Sequence, residues 1–85
     1  MKEYEYDFCM SLHSKIRSRI KPNVYIIVDD NNRLVITIYD KMYGITYDWI
    51  LSDFSEKFSD GLLSDDIADK VIMAYRSWML AKFFK

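Results

Sequence analysis

The sequence predicts an α+β domain: an N-terminal helix, a three-stranded antiparallel β-meander, a short helix and a long C-terminal helix, in the order αβββαα. Three observations carry this expectation. Apolar residues recur every four positions from Tyr4 to Ile20. Runs of β-branched and aromatic residues at Val24 to Val28, Leu34 to Tyr39 and Ile45 to Leu51 are separated by polar turn segments. An apolar stripe with helical spacing then runs from Ile67 to Trp78. The 85 residues, 51% hydrophobic with two glycines and one proline, hold no linker, repeat or low-complexity stretch, so one domain spanning residues 1–85 is expected.

In the first helix Tyr4, Phe8, Leu12, Ile16 and Ile20, with Cys9 beside them, wind slowly around one side. Glu3, Glu5 and Asp7 stand near its start and Lys15, Arg17, Arg19 and Lys21 near its end, the polarity that suits the helix dipole, and Pro22 stops it. The first hairpin has its tip at Asn31 and Asn32, both able to take positive φ. A two-residue loop there sets Asp29 opposite Leu34, Ile27 opposite Ile36 and Tyr25 opposite Ile38. Tyr25, Ile27, Leu34, Ile36 and Ile38 then share the core face, and either a two- or a four-residue second turn adds Ile45, Tyr47 and Trp49.

The opposite face would carry Val24, Ile26, Val28, Val35, Thr37 and Tyr39, too apolar to stand free in water. Coverage by a helix of the same domain is expected. A partner or a second copy, with Phe83 and Phe84 contributing, is the other way to bury it. Trp49, Ile50 and Leu51 suit either the third strand or the start of the short helix. That helix runs to about Asp60, with Ser52 and Asp53 as caps, Asp53 and Glu56 at capping-box spacing, Phe54 and Phe58 inward, and Gly61 closing it. Ser64 caps the last helix, Asp65 and Asp66 favour its N-terminal dipole, and Ile67, Val71, Ala74, Tyr75 and Trp78 form its stripe beside Ile72, Met79 and Phe83.

Catalysis needs converging polar groups, and the chain has one histidine, His13, and one thiol, Cys9. Four residues apart on one helix, they permit a Cys–His dyad or half of a metal site to be drawn. No third partner stands nearby, so a partly buried cysteine beside a rim histidine is expected. Neither Gly44 nor Gly61 has the neighbours of a phosphate loop. A non-enzymatic protein without cofactor or metal is expected. A lone cysteine suits a reducing cytosol, and acids stand where a signal peptide would be apolar. No apolar run approaches the ~20 residues of a membrane span, which excludes a membrane partner of that kind.

Charge is segregated along the chain although the total is −1. Residues 1–28 sum to +2, residues 29–70 to −6 and residues 71–85 to +3. Asp53, Glu56 and Asp60 share one face of the short helix, and Asp29 and Asp30 sit near a hairpin tip. Carboxylates so placed can oppose the basic side chains of a nucleic-acid-binding protein in the role of phosphates, and these five are the candidate partner-binding surface. The alternative set is Lys15, Arg17, Arg19, Lys21 and Arg33, as phosphate contacts for direct nucleic-acid binding, with Tyr39 as a stacking surface. Helical geometry splits it, since Lys15 and Arg19 flank one side of the Ile16 stripe and Arg17 and Lys21 the other.

The pattern Tyr43-Gly-Ile-Thr-Tyr, Phe54-Ser-Glu-Lys-Phe58, Asp60-Gly-Leu-Leu63 and Ala74-Tyr-Arg-Ser-Trp78 through Lys82-Phe-Phe-Lys85 resembles small proteins encoded by phages and prophages of Firmicutes. The element order is similar to that of a small anti-CRISPR that acts as an acidic DNA mimic on an RNA-guided nuclease. The resemblance implies a phage-derived protein of the bacterial host cytosol that binds and inhibits a host or phage protein, most specifically a CRISPR-Cas nuclease. Beside it stand a nucleic-acid-binding phage accessory protein and a small assembly module acting as a homodimer.

Overall fold

The computed structural model describes residues 3–84 and has the expected order, with helix α1 (Glu3–Arg17), strands β1 (Asn23–Val28), β2 (Leu34–Asp40) and β3 (Ile45–Leu51), and helices α2 (Phe54–Ser59) and α3 (Ser64–Phe83). The strands form one antiparallel sheet with β2 in the centre. α1 and α3 pack together over one of its faces and bury Leu12 and Ile16 against Leu34, Ile36 and Ile38 of β2 and Ile67, Val71 and Ile72 of α3, with Phe54 of α2 in the same cluster.

α1 ends three residues before its apolar pattern does. The Ser18–Arg19 turn and the Arg17 guanidinium, which donates to the carbonyls of Lys21 and Pro22, carry the chain round, while Ile20 still packs on the core. α1 also buries Glu5, whose carboxylate receives a long, 3.5 Å hydrogen bond from Ser55 Oγ. An acid expected only to face the helix dipole thus lies inside the packing.

The first hairpin departs from its expected register by one residue. Val24, Ile26 and Val28 pair with Ile38, Ile36 and Leu34. The cause is the loop. Asp29 and Arg33 close it, the Asn32 N–H donates to the Asp29 carbonyl, and Asn32 alone takes the left-handed conformation (φ 58°). This is a type I turn followed by a left-handed residue, which spaces the strands by three residues rather than two. A one-residue slip turns every side chain of a strand over. Val24 is therefore buried and Ile26 and Val28 pack on the core, whereas Tyr25 and Ile27 are each 56% exposed. The second hairpin has the four-residue form, with Gly44 at φ 62°; Ile45, Tyr47 and Trp49 lie on the core side as expected, and Leu51, paired with Leu34, joins them. Of the residues expected to need cover, Val24, Ile26 and Val28 pack inward, whereas the outer face keeps Tyr25, Ile27, Tyr39 and Ile50 exposed and so lacks the internal coverage expected for it.

α2 is capped differently from the capping box expected of Asp53 and Glu56. Asp53 lies in the left-handed region (φ 55°) and its carboxylate caps nothing, because the chain must reverse within two residues of the end of β3. Asn32 takes over that role. Its carbonyl accepts from the Phe54 N–H at 2.9 Å, its side-chain oxygen from the Ser55 N–H at 2.9 Å, and its Nδ2 donates to Glu56 Oε2 at 2.6 Å. At the other end Gly61 (φ 97°) and Leu62 return N–H groups to Phe58 and Lys57 in a Schellman arrangement. α3 begins at Ser64 itself, with extended Leu63 before it. The Ser64 hydroxyl accepts from Lys15 Nζ at 2.6 Å instead of capping.

Two substitutions separate the observed register from the two-residue-loop register. Val24→Ala, at a position buried only in the observed register, should cost about 2 kcal/mol in chemical denaturation, and Ile27→Ser should lie within about 0.5 kcal/mol of wild type. Loss of the cross-chain cap should also be measurable. Asn32→Ala, which replaces a residue tolerant of positive φ by one that is not and removes the side-chain cap, should cost about 2 kcal/mol, and Asn32→Gly, which removes only the side-chain cap, about 1 kcal/mol.

Candidate functional site

The hairpin tip and α2 lie at one end of the sheet. The loop of residues 41–44 lies at the other, where Tyr43 meets Phe83 of α3 with ring centroids 5.4 Å apart. Because Asn32 holds the first turn of α2, the acids of the tip and those of α2 are brought to one pole although they are more than twenty positions apart in sequence. Phe54 and Phe58 underlie that pole in a cluster with Phe8 and Tyr4, at ring-centroid distances of 5.4–5.8 Å.

The five acidic candidates differ in what they can offer. Asp29 is engaged internally. Its Oδ1 accepts from the N–H groups of Asn31 and Arg33, and its Oδ2 meets the Arg33 guanidinium at 2.7 Å. Desolvation opposes its ionisation, but the Arg33 N–H and guanidinium and the Asn31 N–H outweigh it and hold the carboxyl below its ordinary value. Glu56 shares one oxygen with Asn32. Asp30, Asp53 and Asp60 are exposed and make no polar contact through their carboxylates among the described residues. The pole therefore presents Asp30, Asp53, Glu56 and Asp60 with only Lys57 as a basic neighbour on α2.

The basic candidates are dispersed. Lys15 pairs with Asp65 at 2.9 Å, Arg19 with Asp69 and Arg33 with Asp29, while Arg17 holds two backbone carbonyls. These side chains lock α1 to α3 and close loops, each surface pair contributing less than about 1 kcal/mol. Lys21 alone of the five is left pointing to solvent without a described partner.

Cys9 and His13 do not form a dyad. His13 Nε2–H donates to the Val24 carbonyl at 2.9 Å, which fixes its tautomer and ties α1 to β1. Burial, reinforced by the Glu5 carboxylate, pushes the Cys9 thiol up and keeps it protonated near neutral pH. Among the described residues no group of three His, Cys, Asp or Glu side chains stands close enough to hold a metal ion. No described helix is long and apolar enough to cross a membrane.

Two apolar surfaces stand apart from the charged candidates. One is the uncovered sheet face, which the sequence offered to a partner or second copy but with Val24, Ile26 and Val28 in the places that Tyr25 and Ile27 occupy. The other is a shallow groove of about 520 Å³ between Tyr43 and the last turns of α3, lined mainly by Tyr75, Met79, Leu80, Phe83 and Phe84. The exposed spacing of Leu80 and Phe84 was a readable signal for it, but only the contact with Tyr43 makes it a groove. Comparison with protein-family models, curated proteins and solved structures finds no match to the chain.

The Asp29 carboxyl gives a pH signature. Its folded-state pKa is depressed, so between the folded and unfolded values the unfolded chain binds more protons. Its stabilisation is present above about pH 4 and is lost as the pH falls through the folded-state value. Asp29→Asn keeps the side-chain acceptor and removes the charge. The stability gap between wild type and this variant, followed by urea midpoints, should narrow on acidification, and a gap independent of pH would contradict the assignment.

Proposed function

We propose that this chain is a non-catalytic interaction domain that sets its acidic pole against a basic surface of another protein. Its most specific form is a phage-encoded inhibitor of a nucleic-acid-binding host enzyme such as a CRISPR-Cas nuclease. The supporting observation is the junction at Asn32, which gathers exposed carboxylates from the hairpin tip and α2 on one rigid corner. Fixed carboxylates present a negative potential without the ordering cost of a flexible acidic tail. The arginines and lysines that would serve direct nucleic-acid binding are for the most part held by internal partners, which supports a protein rather than a nucleic acid as the target.

The test is affinity capture on the immobilised chain, from lysate of a Firmicute carrying a CRISPR nuclease, with and without nucleic-acid digestion. Wild type should retain one protein in both arms, and the Asp30→Lys/Asp60→Lys variant should bind it about tenfold or more weakly with an unchanged unfolding midpoint. Equal retention by the variant would reject this surface, and recovery that vanishes on digestion would reject the protein target.

A further inference from the structure

We propose that the uncovered sheet face is a docking surface for an apolar partner segment bearing an arginine, which the Asp48 carboxylate receives. The inference rests on the reading of the chain as an interaction domain, and it assigns a second contact outside the acidic pole. The strand registers align three rows across this face: Ile27, Val35 and Ile50; then Tyr25, Thr37 and Asp48; then Asn23, Tyr39 and Thr46. The first row is wholly apolar. Asp48 is the one charge on the face, and none of the chain's own described cations pairs with it.

Asp48 is held in position. Thr37 Oγ1 on the central strand donates to its Oδ1 at 2.7 Å, which orients the carboxylate and leaves Oδ2 for an incoming donor. A guanidinium suits the place better than an ammonium. It donates through a planar fork to a carboxylate and can lie flat on the sheet toward Tyr39, the diagonal neighbour of Asp48, whose ring attracts a cation. Tyr25, Ile27 and Ile50, each about half exposed, supply the apolar contact on either side.

The same features exclude other occupants. Nucleic acid and an anionic membrane surface need basic residues, and the strand residues of this face include none, Lys21 and Lys41 standing only at its edge beside Asn23 and Tyr39. A second copy stacked face to face would bring two Asp48 carboxylates into an apolar interface without counter-charges. Seven-residue strands in a three-stranded sheet span about 23 Å by about 14 Å. That area accepts one extended segment or a short helix, and is smaller than a globular interface needs on its own.

The test uses the full, ¹⁵N-labelled chain and blocked peptides Leu-Thr-Arg-Val-Thr in which the arginine is kept or replaced by glutamine or glutamate. With the arginine peptide, amide shifts should concentrate at Tyr25, Thr37, Asp48 and Ile50 with millimolar affinity. The glutamine peptide should bind at least about fivefold more weakly, and the glutamate peptide should leave the face unshifted. Asp48→Asn, which keeps the Thr37 hydrogen bond, should abolish the preference for arginine and leave the unfolding midpoint in place. Absence of shifts on this face, equal response to the three peptides, shifts confined to the acidic pole, or a concentration-dependent dimer that buries the face would each overturn the proposal. These outcomes are independent of the Asp30→Lys/Asp60→Lys variant, so failure here and failure of the acidic pole are distinguishable.

Discussion

Asn32 occupies the last position of the first hairpin loop in a left-handed conformation, and from there it binds α2 through its carbonyl, its side-chain oxygen and its amide nitrogen. Its conformation and its hydrogen bonds have separate consequences. The conformation makes the loop three residues long and so decides which side of β1 meets the core. The hydrogen bonds satisfy first-turn N–H groups of a helix too short to persist on its own and bring its acids beside those of the hairpin tip. Both surfaces proposed for partners, the acidic pole and the outer sheet face, depend on this asparagine, whose turn the Asp29 carboxylate sets.

The core has a matching economy. The inner sides of β2 and β3, with Val24, Ile26 and Val28 of β1, meet the stripes of α1 and α3, and every described buried side-chain nitrogen or oxygen has a partner. Lys15, Arg17, Arg19, Arg33 and His13 all serve the structure, through ion pairs or backbone carbonyls. What remains unneutralised at the tip and α2 is mainly acidic, with Lys57 as the one basic residue of α2, and what remains uncovered on the sheet is apolar around a single carboxylate. A domain this small buries a limited fraction of its surface, and one sheet face is the part that its two long helices leave out.

The element order was legible because each element carried its own period: four-residue recurrence in α1, alternation in β2 and β3, and a broad stripe in α3. The register of β1 was not. Val24, Ile26 and Val28 compete with Tyr25 and Ile27 as equally apolar rows, so alternation cannot choose between them, and both Asn31 and Asn32 accept positive φ. The choice was made by Asp29, whose carboxylate collects the N–H groups of Asn31 and Arg33 and favours a type I turn. An aspartate opening a turn with an arginine four positions on was the readable signal. The cap of α2 lay further out of reach, because Asn32 and Ser55 are 23 positions apart and no local rule connects them. The acidic candidates were found by spacing along one helix and one turn, but their convergence depends on that same long-range contact.

Native-state hydrogen exchange at the amides of Phe54 and Ser55 tests the role of Asn32 most directly. First-turn N–H groups of an isolated six-residue helix exchange almost freely. If Asn32 fastens α2 to the hairpin, both amides should be protected to within about 1 kcal/mol of the loop-closing amide of Asp29, and they should open together with it. Exchange of Phe54 and Ser55 near the unprotected rate, with Asp29 still protected, would show that α2 is not held by the hairpin and would dissolve the acidic pole.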